Sequence, residues 1–221
     1  AYHGDTIGTM SVGSIGRFKN LYSPLLFPAV WTSAPSARTD DPDHECRELD
    51  RWSAELEKIL TDYAGQIAAV VIEPLVQAAA GIKVHADGFL RRVRDLTRKH
   101  DTLLIADEIA VGFGRTGTLF ACERAAITPD FLCLSKGLTA GYLPMSVVLT
   151  SDDVYRAFYD EYAKLNAFLH SHSYAGNPLG CAAALASLAI FRDDSVLERN
   201  RSTAATLEKA VRAAFEDHPQ V

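Results

Sequence analysis

No apolar stretch in this 221-residue chain approaches the ~20 residues a helix needs to cross a bilayer. The small-residue run Cys181–Ile190 is too short. The opening Ala1-Tyr2-His3-Gly4-Asp5-Thr6 has neither the basic start nor the apolar centre of a secretory signal. Methionine is absent from position 1, so an upstream segment is expected. Excess positive charge is missing too: 22 Lys and Arg stand against 28 Asp and Glu, a net charge of −6. That argues against a nucleic-acid or anionic-membrane surface, which needs a basic footprint. It leaves room for a local anion site built from backbone N–H groups. Cysteine is sparse, and Cys46, Cys122, Cys133 and Cys181 form no C-x-x-C pair. Free thiols in a reducing cytoplasm are expected rather than a disulfide scaffold. No internal repeat or low-complexity tract is visible.

What is present is ordinary globular composition, 48% hydrophobic and 23% charged. The length fits one domain, or one domain plus a fragment. The first 45 residues, rich in Gly, Ser and Pro, read as loops, with Leu21–Val30 an irregular apolar segment. Leu49, Trp52, Leu56, Ile59 and Leu60 recur at helical spacing and predict a helix over Glu48–Tyr63. Further helices are predicted at Asp87–His100, Asp152–Tyr162, Pro178–Phe191 and Ser195–Phe215. Apolar runs at Ile67–Ile72, Leu103–Ala106, Phe131–Leu134 and Met145–Leu149 suit strands buried on both faces. Alternating strands and helices imply an α/β fold, a mostly parallel sheet with helices on both faces.

In such sheets chemistry collects beyond the carboxyl ends of the strands. Three of the four predicted strands end there in ionisable residues: Glu73, Asp107 with Glu108, and Lys136. Gly112-Phe-Gly114-Arg-Thr-Gly117 matches G-x-G-x-x-G, but two carboxylates stand at the strand exit and would repel phosphate. No helical stripe follows Gly117, so glycine-rich loop packing is the better explanation than dinucleotide binding.

A lysine at the end of an apolar strand faces desolvation, which favours the neutral nucleophile. A carboxylate against a pyridine nitrogen keeps the ring protonated, the electron sink of pyridoxal chemistry. Lys136 and Asp107 are of these types. The bland alternatives are a solvated lysine at a strand exit and a carboxylate that caps a helix or forms an ion pair. Glu108 reads as structural, pairing with Arg115.

Asp107-Glu-Ile-Ala-Val-Gly-Phe-Gly-Arg-Thr-Gly117 followed by Pro129-Asp-Phe-Leu-Cys-Leu-Ser-Lys136-Gly resembles the class III aminotransferases of fold type I. Tyr2-His-Gly4, Glu73-Pro74-x-x-Gln77 and Ser171-His-Ser-Tyr-Ala-Gly-Asn-Pro178 fit the same family in order. The resemblance implies pyridoxal 5'-phosphate as cofactor. It implies that Lys136 forms the Schiff base and shuttles the proton, and that Asp107 salt-bridges the pyridinium. Tyr2 would stack on the ring and Ile109 would pack near its other face. Ser173 would bond the phosphate across a homodimer interface. Tyr2 and Ser171 would face substrate. His3 would be a hydrogen-bonding neighbour of the pocket, and His170 and His172 loop residues at the interface rather than metal ligands.

Ala1-Tyr-His-Gly-Asp-Thr-x-Gly-x-Met-Ser11, Leu119-Phe-Ala-Cys-Glu123 and the small Ala110 resemble one branch, the diaminononanoate synthases of biotin biosynthesis. The implied reaction is ping-pong amination of 8-amino-7-oxononanoate, with S-adenosylmethionine as the default donor. Leu138–Pro144 and His170–Tyr174 look somewhat like the branch members that use lysine. An omega-amino-acid or amine transaminase and a nonenzymatic or nicotinamide-binding domain remain as alternatives. By the resemblance the chain is truncated at both ends. Residues 1–193 form part of the large cofactor-binding domain, and 194–221 a helix leading toward a small domain that carries the substrate-carboxylate arginine.

Overall fold

Asp41 begins the first long helix. Its side chain accepts hydrogen bonds from the Asp43 and His44 N–H groups at 3.0 and 3.1 Å, and Pro42 fills the first turn. This cap places the helix at Pro42–Asp62, six residues ahead of the start expected from apolar spacing alone. The computed structural model describes residues 1–34, 41–170, 172–216 and 218.

In chain order the elements are α1 (Ile7–Val12), α2 (Gly16–Lys19), a 3-10 turn (Asn20–Leu25), α3 (Pro42–Asp62) and β1 (Ala69–Ile72). A two-residue hairpin follows, β2 (Val76–Gln77) with β3 (Lys83–Val84), then α4 (Asp87–Lys99), β4 (Leu103–Asp107) and β5 (Phe131–Leu134). The chain continues through β6 (Val147–Thr150), α5 (Asp152–Phe158), α6 (Pro178–Asp193) and α7 (Val196–Phe215). The main sheet has the order β1-β4-β5-β6, with β1, β4 and β5 parallel and β6 antiparallel to β5. The expected α/β class and mostly parallel sheet are therefore present.

Alternation along the strands turns Leu104, Ala106, Leu132 and Leu134 to one face. There Trp52 and Leu56 of α3 and Phe89, Leu90 and Val93 of α4 close the main core, with the Trp52 and Phe89 rings 4.6 Å apart. A second cluster joins Leu134 and Leu138 to Phe113 and Ala184. Arg94 of α4 grips Asp130 at 2.6 and 3.1 Å, and Asp130 also accepts the Leu104 N–H at 2.7 Å. This fork ties α4, β4 and the start of β5 together.

Strand burial differs from expectation. Ala69, Val70 and Val71 are only partly buried, and Val148 and Leu149 of β6 are exposed. Among the described residues both are edge strands, each with a neighbour on one side only. The opening segment forms short helices where loops were expected, and α5 stops at Phe158.

Candidate functional site

Glu73 directly follows β1 and Asp107 ends β4, and the pairing Ile72↔Ala106 brings the two side by side at the carboxyl edge. Asp107 is buried. Its Oδ2 lies 2.9 Å from His3 Nδ1, and its Oδ1 accepts the Ile109 N–H at 3.0 Å. Asp107 pairs with Cys133 in the neighbouring strand, so the two side chains share a face. Burial first, and the Asp107 charge second, push the Cys133 thiol up to about 11.

Lys136 leaves β5 three residues beyond Cys133, at the same edge of the sheet and from the strand next to Asp107. It opens a 3-10 turn, Lys136–Thr139, with φ of +45°, a left-handed conformation that a residue with a Cβ adopts at a cost. The turn is stapled in place. Ser135 Oγ donates to the Met145 carbonyl at 2.7 Å, and Thr139 Oγ1 to that of Leu143 at 2.5 Å. Ser187 Oγ of α6 donates to the Gly137 carbonyl at 3.1 Å. Gly137 lies so close to Phe113 that a Cβ there would sit 2.7 Å from the Phe113 Cβ. The Lys136 side chain is exposed, not desolvated as expected, because no described segment covers this end of the turn. Among the described residues its amine has no hydrogen-bond or ion-pair partner.

Glu108 is fully buried and points away from this edge. It accepts the Ala121 and Cys122 N–H groups at 2.6 and 2.8 Å, capping the 3-10 turn Ala121–Ala125. The expected pairing with Arg115 is therefore replaced by two backbone donors, which satisfy a buried carboxylate. Burial still pushes its pKa up, against the pull of those bonds. The loop Gly112–Gly117 forms turns rather than a helix N-terminus. It serves as packing: Asn200 Nδ2 of α7 donates to the Gly114 carbonyl at 2.7 Å and Arg201 Nε to that of Gly117 at 2.9 Å.

The structure thus gathers Tyr2, His3, Glu73, Asp107, Ile109 and Lys136 near one edge. The Tyr2 N–H donates to Glu73 Oε1 at 2.8 Å, its ring packs edge-on against Phe18, and a hydrogen bond to Asp5 pushes its phenol up. Ser173 is not drawn in. It sits in an exposed turn ahead of α6, where the Tyr174 N–H donates to His172 Nδ1 at 3.2 Å. Ser171 lies outside the described residues. A cavity of about 520 Å³ opens beside β1, with His3, Glu73, Gln77 and Lys83 on its wall. The role of Glu73 as an anchor for Tyr2 was not read from the sequence, and its only signal was the Glu-Pro pair at a strand end.

A model of the class-III aminotransferase family matches residues 1–221. This chain belongs to the class-III aminotransferases. It is 47% identical to the adenosylmethionine-8-amino-7-oxononanoate aminotransferase of Geobacter sulfurreducens, over 98% of this chain and 48% of that protein. The crystal structure of the protein of that name from Methanocaldococcus jannaschii superposes with a TM-score of 0.85 at 35% identity, covering 96% of this chain and 47% of that one. An (S)-enantioselective omega-transaminase from Thermomicrobium roseum gives 0.87 at 32% identity, covering 98% and 48%. The chain therefore spans about half the length of the class-III aminotransferases it matches. Among its described residues no helix is long and apolar enough to cross a membrane.

Proposed function

We propose that this chain is the cofactor-binding part of a pyridoxal 5'-phosphate-dependent aminotransferase that aminates 8-amino-7-oxononanoate to 7,8-diaminononanoate in biotin biosynthesis. The observation that carries the reading is the convergence of a buried carboxylate, Asp107, and an unpartnered amine, Lys136, at the tips of neighbouring parallel strands in a class-III aminotransferase. The donor set suits the cofactor: an anion for a ring cation and a primary amine for an aldehyde. Bound there, pyridoxal 5'-phosphate supplies the carbonyl that captures amines and the ring that accepts electrons.

The chain's own residues do the rest. Asp107, its carboxylate fixed by His3 and the Ile109 N–H, would hold a proton on the ring nitrogen. Lys136 Nζ would bind the cofactor and would move a proton to and from the reacting carbon. Tyr2 would cover one side of the ring and Ile109 would pack near the other. The substrate specificity is supported by relatives named adenosylmethionine-8-amino-7-oxononanoate aminotransferase at 40–47% identity. The donor is S-adenosylmethionine, with lysine the alternative.

The working unit is a homodimer with the site at its interface, where Ser173 bonds the phosphate and Ser171 and Tyr2 meet substrate. Tyr162, Phe168, Leu169 and Tyr174, all exposed before α6, support such a contact. Residues 1–193 belong to the large domain and the following helix leads toward a small one. The enzyme works in the cytoplasm.

A second reading, an omega-amino-acid or amine transaminase, is favoured by the likeness to the Thermomicrobium roseum structure. Titration with pyridoxal 5'-phosphate tests the cofactor site: a visible band should form and be lost in Lys136→Ala. Assay of 8-amino-7-oxononanoate against beta-alanine and pyruvate separates the two substrate readings. Failure to aminate the first would sink the biotin assignment. Half-reactions with S-adenosylmethionine and with lysine decide the donor.

A further inference from the structure

We propose that Glu73 is a positioning residue of this site: its two carboxylate oxygens fix the register in which Tyr2 and His3 reach Asp107. The inference rests on the cofactor reading of Asp107 and Lys136. Glu73 is 5% exposed, and each of its oxygens accepts a backbone N–H. Oε1 takes that of Tyr2 at 2.8 Å and Oε2 that of Ala78 at 3.1 Å. Bonds to a carboxylate are stronger than those between neutral groups, and a buried carboxylate with both oxygens engaged has little freedom to move.

Tyr2 is followed at once by His3, whose Nδ1 lies 2.9 Å from Asp107 Oδ2. The dipeptide therefore bridges two carboxylates from adjacent strands, one holding its backbone and the other a side chain. Among the described residues no backbone–backbone hydrogen bond holds Tyr2 or His3. The Ala1–Tyr2 peptide is held from two sides: its carbonyl accepts the Ser14 N–H at 3.0 Å, and its N–H donates to Glu73, the contact that ties it to the end of β1. A carboxylate that only tied down the chain around β2 would need Oε2 alone. The bond from Oε1 crosses 71 residues of sequence to the segment that faces Asp107.

The test is a double-mutant cycle on the protein loaded with pyridoxal 5'-phosphate, using Glu73→Ala, Glu73→Gln, His3→Asn and each Glu73 variant combined with His3→Asn. Cofactor affinity is read from the visible band and thermal unfolding is followed without cofactor. Glu73→Ala should weaken cofactor binding about tenfold, and the Glu73→Ala/His3→Asn double variant should bind no more weakly than His3→Asn alone. Glu73→Gln, which keeps one acceptor, should restore part of the loss. If Glu73→Ala does not fold, the same cycle is read in Glu73→Gln, with a loss of about threefold expected. Losses that simply multiply, or lowered thermal stability with unchanged cofactor affinity, overturn the proposal. A wild-type protein without a Lys136-dependent band overturns the cofactor reading and this one together. A wild-type band with multiplying losses removes only this one.

Discussion

His3 and Asp107, 104 residues apart in the chain, meet with Nδ1 and Oδ2 at 2.9 Å, and both side chains are buried. An imidazole in that place can share its proton with the carboxylate and hold it in one orientation. Asp107→Asn keeps the size of the side chain and removes its charge. Affinity for pyridoxal 5'-phosphate should fall by at least about tenfold, with a smaller loss in His3→Asn. Absorption titration of both variants checks this. Equal or greater loss in His3→Asn would make the imidazole, not the carboxylate, the main anchor.

Gly137 has no room for a side chain, because a Cβ would meet Phe113 at 2.7 Å. Gly137→Ala must push Phe113 or the Lys136 turn aside. A cost of about 1–3 kcal/mol in unfolding free energy is expected, together with a weakened Lys136-dependent band. Denaturant unfolding and cofactor titration read the two effects separately. A variant as stable as wild type shows that the turn yields without penalty.

His85 is 1% exposed, and among the described residues neither ring nitrogen has a hydrogen-bond partner. Burial first, and the Lys83 charge second, lower its pKa to about 4, below the unfolded value of 6.5. A depressed folded-state pKa makes the neutral ring contribute stability above pH 6.5. That contribution is lost as the pH falls from 6.5 toward 4, a total of roughly 3 kcal/mol. His85→Leu should flatten the acid limb of the stability curve over this window. Urea unfolding at intervals between pH 7 and 4 measures it, and parallel curves for the two proteins would show that His85 is not the acid-labile group.

Leu90 of α4 is fully buried between α3 and the sheet. Leu90→Ala should destabilise the chain by about 2–5 kcal/mol through lost transfer energy and a residual cavity. Thermal or chemical unfolding monitors this, and a loss under 1 kcal/mol would mean that the main core collapses to fill the space.

Much of this fold was legible because its parts are local. Three apolar runs ending in Glu73, Asp107 and Lys136 announced strands with polar tips, and the parallel register aligns those tips. The start of α3 was misplaced because the Asp41-Pro42 cap outranks the spacing of Leu49 and Trp52. The hairpin Val76–Val84 was missed because two-residue strands carry no period. Glu108 was paired with the wrong partner because its donors, Ala121 and Cys122, are backbone groups that any sequence possesses. The bond from Tyr2 to Glu73 was illegible for the same reason.

The left-handed backbone at Lys136 means that the amine is aimed by its surroundings rather than by its own preference. The hydroxyls of Ser135, Thr139 and Ser187, with the backbone bonds of the turn, oppose its relaxation to the right-handed or extended conformations open to any lysine. Three serine and threonine side chains, none of them an obvious participant in chemistry, therefore help to set where the Lys136 amine points. Removing their hydroxyls one by one is a way to loosen the turn while leaving Lys136 itself in the chain.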